Sequence, residues 1–322
     1  MNNDSNMYEL AYPRPVVGHY TEGPVLVVAL TGYADAGNSL KIVNNHLVSA
    51  LENATIATFN MDELVDFRSR RPATTMRDGK VVDVETVELT LKVVKDLSSK
   101  PFLLLSGVEP DFRWNAFTEA VTDLVATYNV SQVVFLYSAA MNVPHTRPLL
   151  ITAHGNAPKL WGDTLGWDAH MVIPGAAQLN IEHALQNNGM PVTGFTAQVP
   201  HYLGAGDYPE AAWKLLRAVG DTGSLNLPLK ALQLDAERAS EQIAKEISEH
   251  QEITPMVAQM EQVFDEELAR RRSRAELARA EAEIPTADEL GSIVEDFLAS
   301  VDHSAELGEI HDHDDDAEPG AH

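Results

Sequence analysis

Seven polar side chains are the residues of this sequence best suited to chemistry, and each stands in a turn that follows a predicted strand. Carboxylates and imidazoles can move protons, amides can orient a ligand, and a guanidinium can bind an anion. Open α/β sheets bind ligands beyond the carboxyl ends of their strands, so we expect these turns to share one edge. The candidate ligand or functional cluster is Asp35, Asn38, Glu109, Asp111, His145, Arg147 and His201.

The first turn, residues 32–38, joins a strand to a helix and superficially resembles a phosphate-binding loop. Its two glycines permit a tight backbone, and the amides at the helix start would face an anion. A Walker motif needs Lys and then Ser or Thr after its last glycine, whereas Asn38 and Ser39 stand here. We therefore expect no nucleotide binding by this route. Either the turn is a binding site, or Asp35 or Asn38 simply caps the following helix.

The second turn carries two carboxylates, Glu109 and Asp111, separated by Pro110. Such a pair can act as acid and base or hold a hard cation. Two acids in a turn are common, however, and capping of the next helix by Asp111 is the favoured interpretation. We assign no metal and no cofactor.

The third turn places His145 and Arg147 between Pro144 and Pro148, so a titratable imidazole and a fixed fork of donors are held by two conformational restraints. This is the best single site candidate, although such a pair often only satisfies the carbonyls of its own loop. His201 follows a strand that ends near Val199 and could reach the same edge. Another charged stretch, residues 62–72, predicts an internal salt-bridged loop or a subunit contact.

The elements that would position these residues alternate between short apolar runs and amphipathic stretches from residue 24 to about 220. This alternation is typical of βα units in a mainly parallel, buried sheet. Residues 81–94 alternate in polarity and predict an edge strand or a hairpin. The other predicted strands are residues 25–30, 54–60, 102–105, 130–137, 148–153 and 192–199, and the helices are 39–51, 114–128, 176–186 and 209–219.

Beyond residue 227 the sequence changes to helix formers with apolar residues three or four apart. We predict three helices there: one near residues 232–247, one opening at Thr254 with a Pro in its first turn, and one after a capping box at Thr286 and Glu289. The predicted domains are an α/β core at residues 1–226, a helical domain at 227–301 and a disordered, acidic, His-rich tail at 302–322.

Composition excludes several function classes. The absence of cysteine excludes disulfides, thiolate nucleophiles and Cys-ligated metals. A net charge of −25 opposes binding to phosphate backbones, so we expect no nucleic-acid partner. The sequence shows neither a signal peptide nor an apolar run long enough to span a membrane, and we expect a cytoplasmic protein that does not bind membranes.

Five segments together resemble the proteasome assembly chaperone family in its actinobacterial-type branch. In order along the chain they are GYADAGN at 32–38, DFRSRRP at 66–72, GVEPD at 107–111, PHTRP at 144–148 and PHYL at 200–203. The resemblance spans about residues 20–215, and the helical segment after residue 227 is similar to the extension of that branch.

This resemblance implies a three-layer α/β/α fold of the phosphorylase/hydrolase-like kind with a mainly parallel central sheet, and a helical C-terminal domain beside it. It also implies homo-oligomers, with trimers among the expected forms, and a protein partner. It implies no known reaction and supplies no catalytic residue. The sequence favours a chaperone-like or scaffold role without catalysis. The alternative is a small-molecule-binding protein or hydrolase/phosphorylase-like enzyme that uses the sheet-edge crevice.

Overall fold

A computed structural model describes residues 7–15, 17, 23–162, 164–166, 170–249 and 253–282. The chain divides into two compact units, residues 1–261 and residues 262–322. The predicted boundary at 226/227 falls inside the first unit, and the division of the chain there into separate domains stays a prediction. The third predicted C-terminal helix and the acidic tail lie outside the described residues.

The first unit is built on a nine-stranded sheet in the order β1-β3-β6-β7-β2-β8-β11-β9-β10, and β4 and β5 form a separate hairpin. The strands are β1 (Tyr8–Leu10), β2 (Val25–Thr31), β3 (Asn53–Phe59), β4 (Thr74–Arg77), β5 (Lys80–Val84), β6 (Leu89–Lys95), β7 (Pro101–Val108), β8 (Gln132–Met141), β9 (Ile151–Gly155), β10 (Leu165–Gly166) and β11 (Val192–Pro200).

Helices cover both faces of this sheet because successive side chains of its strands point to opposite sides. The α-helices among the described residues are α1 (Ser39–Ala50), α2 (Met61–Leu64), α3 (Trp114–Thr127), α4 (Ala177–Asn187), α5 (Pro209–Gly223), α6 (Leu229–Glu249) and α7 (Thr254–Ala282). Val28 of β2 belongs to the core that includes Phe117 of α3 and Ile181 of α4. Its neighbour Val27 belongs to the opposite core, which includes Val43 of α1.

The predicted α/β/α class is confirmed, and the sheet is mixed. Its four central strands, β7, β2, β8 and β11, are parallel neighbours. The flanking pairs β1-β3, β3-β6, β6-β7 and β11-β9 are antiparallel. The central strands read as continuous apolar runs because both of their faces are buried, whereas the antiparallel flanks carry weaker sequence signals.

Residues 81–94, predicted as one alternating stretch, belong to two different sheets. Residues 80–84 form β5 of the hairpin, whereas residues 89–95 form β6 of the main sheet. The two C-terminal helices predicted near residue 232 and at Thr254 are present as α6 and α7. None of the described helices is long and apolar enough to cross a membrane.

Candidate functional site

The four turns that carry the candidate residues follow β2, β7, β8 and β11, which run in the same direction. Their carboxyl ends therefore lie at one edge of the sheet. Direct contacts connect the turns there. Tyr33 N donates to Glu109 Oε2 at 3.5 Å, Gly37 N donates to the carbonyl of Gly204 at 2.8 Å, and His145 Nδ1 lies 2.8 Å from the hydroxyl of Tyr202. The turns thus form one continuous layer.

In the first turn, Asp35 is bound by the start of α1. Its Oδ1 accepts a hydrogen bond from Leu40 N at 2.6 Å, which satisfies one of the free amides of the first helical turn. Asn38, with a φ of 47°, lies beside the fourth turn instead, since its Nδ2 donates to Asp207 Oδ1 at 2.7 Å. Asp35 therefore caps the helix, and a ligand-binding role for these two residues stays a prediction.

The backbone conformation and the close packing at Gly37 both require glycine. Its φ is 70°, and a Cβ at this position would lie 2.7 Å from the Cβ of Tyr208. Its carbonyl also accepts a hydrogen bond from Tyr208 N at 2.8 Å. The first turn is therefore packed directly against the segment that follows β11.

Burial raises the pKa of Asp35 from 3.8 to about 6, although hydrogen bonds from Leu40 and Lys41 oppose the shift. The folded state thus disfavours the ionised carboxyl. The free energy of unfolding should therefore fall as the pH rises from the ordinary pKa of 3.8 to the raised value of about 6. Asp35→Asn keeps an oxygen acceptor for Leu40 N and has no charge to bury. We therefore expect the free energy of unfolding of Asp35→Asn, relative to that of the wild type, to rise by about 1–2 kcal/mol as the pH increases from 4 to 6.

Urea titrations across that pH range would measure the effect. Asp123→Asn, on the exposed side of α3, is the control and should follow the wild-type profile. A difference between Asp35→Asn and the wild type that stays constant from pH 4 to 7 would contradict the prediction.

The second turn is organised by Arg70, which comes from the charged stretch 62–72. Its Nη2 lies 2.9 Å from Asp111 Oδ1, and its Nη1 donates to the carbonyl of Glu109 at 2.9 Å. The other oxygen of Asp111 accepts Asp66 N at 2.8 Å. Glu109 is buried, and its Oε1 accepts Ala177 N at the start of α4 at 2.7 Å. Both carboxylates therefore bind groups of the same chain.

The predicted internal salt-bridged loop is present at this point, because the Arg70–Asp111 pair links the charged stretch to the second turn. Asp111 does not cap α3. The residue before that helix, Arg113, has a left-handed φ of 57° and makes no side-chain cap. Asp111 instead accepts a backbone amide from a segment 45 residues earlier.

The third turn also binds a carboxylate of this chain. Thr146 Oγ1 donates to Glu261 Oε1, and Arg147 Nη1 lies 3.2 Å from the same oxygen. Arg147 is thus paired with a carboxylate of α7, and a role for it in binding the anion of a ligand stays a prediction. His145 donates its backbone N–H to Tyr202 Oη at 2.9 Å, and burial lowers the pKa of its imidazole. The exposed ring of His201 stands edge-on to Tyr202, 5.4 Å away.

A buried polar network near this edge was not found by sequence reasoning. Glu182 of α4 is buried; its Oε2 accepts the Tyr137 hydroxyl at 2.7 Å and lies 3.2 Å from His154 Nε2. Burial and the nearby Glu182 charge raise the pKa of Tyr137. The sequence feature that could have indicated this network is Glu182 itself, a glutamate next to Ile181 on the buried face of α4.

Two concavities of about 810 Å³ each occur among the described residues. One lies at the amino ends of the central strands and is lined in part by Val25, Pro101 and Gln132. The other lies between α1, β6, β7 and α6, with Lys41 and Ser106 among its lining. Neither lining includes any of the seven candidates. Within the described part of the chain, no group of three or more His, Cys, Asp or Glu is placed to hold a metal.

The fold defines a layered α/β/α protein whose polar turns are joined at one sheet edge. A family model described as the PAC2 family matches residues 29–247, and the chain therefore belongs to the PAC2 family. The resemblance found in the sequence is thereby confirmed. A comparison with functionally curated proteins gives no match.

Several solved structures are similar to this chain. A Corynebacterium glutamicum protein of unknown function is 47% identical with a TM-score of 0.80, and the alignment covers 82% of this chain and 99% of that one. A Mycobacterium tuberculosis protein of unknown function is 39% identical with a TM-score of 0.80 over 84% and 92%. A Mycobacterium tuberculosis proteasome-assembly chaperone homologue is 27% identical with a TM-score of 0.65 over 72% and 99%.

Proposed function

We propose that this protein acts through protein–protein contacts as a chaperone-like or scaffold protein, and that proteasome subunits are the first partners to test. The observation that carries the proposal is the likeness to the Mycobacterium tuberculosis proteasome-assembly chaperone homologue, which covers 99% of that chain at 27% identity. The proposal includes a cytoplasmic location and self-association, which the sequence analysis also predicted.

The contacts of the candidate residues are consistent with this role. Glu109, Asp111 and Arg147 each bind a backbone amide or a charged side chain of the same chain. Groups engaged in this way stabilise the turns at the sheet edge and need no small-molecule ligand to satisfy them. The activity would then depend on the surfaces that these turns support.

A reconstitution experiment tests the proposal. The full chain would be mixed with separately purified proteasome α- and β-subunits of the same organism at physiological salt, and assembly would be followed by native mass spectrometry. We expect a complex with free subunits and a higher yield of assembled particles. An unrelated protein of similar negative charge is the control, because a chain with a net charge of −25 can bind by charge alone. Absence of any complex, with unchanged assembly, would contradict the role.

A further inference from the structure

A cavity of about 810 Å³ lies at the amino ends of the central strands, at the sheet edge opposite to the turns that carry the candidate residues. Val25, Pro101 and Gln132, the first residues of β2, β7 and β8, line it, and so does Pro191, just before β11. Its volume is within the range of about 300–1,000 Å³ that is typical of small-molecule pockets. Ligands of open α/β sheets usually bind at the other edge, so the fold class alone does not suggest a site here.

The walls of this cavity are mainly apolar and rigid. Three prolines line it, Pro101, Pro158 and Pro191, and the ring of each fixes one of its two backbone torsions. Pro158 also opens a short helical turn, residues 158–160, whose Leu160 adds aliphatic surface to the lining. A rigid pocket needs little ordering when a ligand binds, which lowers the entropy cost of binding.

The polar side chains of the lining are already oriented by backbone carbonyls. Gln132 Nε2 donates to the carbonyl of Thr222 at 3.1 Å, and Thr222 Oγ1 donates to the carbonyl of Leu160 at 2.9 Å. Asn156 Nδ2 donates to the carbonyl of Met190 at 2.9 Å. These bonds connect β8, the end of α5 and the segment after β9, so the polar groups are held in position before any ligand binds.

The lining of the cavity is positively charged, although the chain has a net charge of −25. Lys100 and Lys159 line it, and none of its described lining residues is Asp or Glu. Lys100 Nζ donates to the carbonyls of Gly223 at 2.9 Å and Ser224 at 3.1 Å. An ammonium has three N–H groups, so one remains for a ligand, and both acceptors are uncharged. Lys159 is exposed and adds a second positive charge at the rim.

We propose that this cavity binds a small organic anion, with an apolar body and a carboxylate or phosphate as its charged head. Lys100 donates its remaining N–H to the head, and Lys159 adds positive charge beside it, whereas the prolines contact the body. A cationic cleft in an acidic protein concentrates anions and repels cations. The inference goes beyond the proposed function and does not rest on it, because no step of it requires a protein partner.

Three probes with the same ring and different charged heads test the inference. Phenyl phosphate, benzoate and benzylamine would be titrated into the full chain by isothermal titration calorimetry at low and high salt. At low salt we expect both anions to bind with a Kd of about 1 mM or lower, and benzylamine not to bind. High salt should weaken the binding of the anions. Tighter binding of phenyl phosphate would indicate phosphorylated compounds as the ligand class, and tighter binding of benzoate would indicate carboxylates.

Substitutions at the two lysines locate the bound anion. Lys159→Glu should weaken the binding of phenyl phosphate by about tenfold, and Lys100→Gln, which keeps a donor for the end of α5, should weaken it by a similar factor. Lys245→Glu is the control, because it changes the net charge as much as Lys159→Glu does at an exposed site on α6 outside the lining. Its affinity should stay within about twofold of the wild type. Melting temperatures would show that each variant folds, and the exposed Lys159 decides the test if Lys100→Gln does not.

Three results would overturn the inference. The first is that neither anion binds, and the second is that benzylamine binds as well as the anions. The third is an affinity for phenyl phosphate that Lys159→Glu leaves unchanged or lowers no more than Lys245→Glu does, since the anion would then bind elsewhere or through net charge alone. Each of these results leaves the proposed function standing, because reconstitution with proteasome subunits tests that function separately.

Discussion

Replacement of Gly107 by alanine should destabilise the first unit by more than about 3 kcal/mol, and the variant should give little folded protein. Gly107 has a φ of 137°, a region that side chains rarely adopt, and a Cβ there would lie 2.1 Å from the carbonyl oxygen of Glu88 and 2.6 Å from the Cα of Leu89. Both atoms are backbone, one in the first residue of β6 and the other in the residue just before it, so a Cβ fits only if β6 and β7 separate at the edge that carries Glu109. Thermal and urea unfolding would measure the loss.

Two other glycines distinguish the backbone strain of a positive φ from the steric clash of an added Cβ. Gly79, at the hairpin tip, has a φ of 75° and open space where a methyl group would stand, so alanine there should cost only the backbone strain of about 1 kcal/mol. Gly206 has neither a positive φ nor a neighbour within 4 Å, and alanine there should change stability by less than about 0.5 kcal/mol. Similar losses at all three positions would contradict the steric argument.

Replacement of Arg70 by alanine should lower the free energy of unfolding by about 2 kcal/mol, because it leaves the Asp111 carboxylate and the Glu109 carbonyl without their shared donor. The expected loss is below that of a fully buried pair, since the side chains of Arg70 and Asp111 are 33% and 21% exposed. Urea denaturation at neutral pH and moderate salt would measure the change.

Two variants serve as comparisons for Arg70. Arg70→Lys should recover only part of the loss, because an ammonium cannot reach two acceptors with the fixed geometry of a guanidinium. Arg68→Ala removes an exposed arginine two residues away and should change stability by less than about 0.5 kcal/mol. An equal loss for Arg68→Ala and Arg70→Ala would mean that the ion pair is not the cause.

Both predictions concern contacts that hold the turns in place at the sheet edge formed by the carboxyl ends of the central strands. Gly107 allows two strands to approach closely, and Arg70 connects a separate loop to the turn that follows one of them. If these contacts are structural, their variants should lose stability and partner binding together.

The central architecture was predictable from local patterns. Residues 25–30 and 102–105 are apolar runs without alternation, which predicts strands buried on both faces, and they form the centre of β2 and β7. The parallel direction of these strands then determines that their following turns share one edge. The prediction was less successful at residues 81–94, since an alternating pattern does not reveal which sheet a strand joins.

The contacts of the candidate residues depended on segments far away in the chain. Arg147 binds Glu261, which is 114 residues later, and Asp66 N binds Asp111, which is 45 residues later. Side-chain types indicated that Arg147 could bind an anion, but they could not indicate that α7 would supply it. Such pairings arise from the packing of whole elements.

The sequence by itself determined the order and type of most elements, the edge of the sheet where the polar turns gather, and the family. These properties follow from hydrophobic periodicity, strand direction and short motifs, all of which are local. Only the tertiary structure decided which groups the turns bind and which strands remain uncovered. β5 and β6 both consist largely of β-formers, yet β6 is buried between β3 and β7 while β5 faces solvent, because burial depends on the neighbours that the fold supplies.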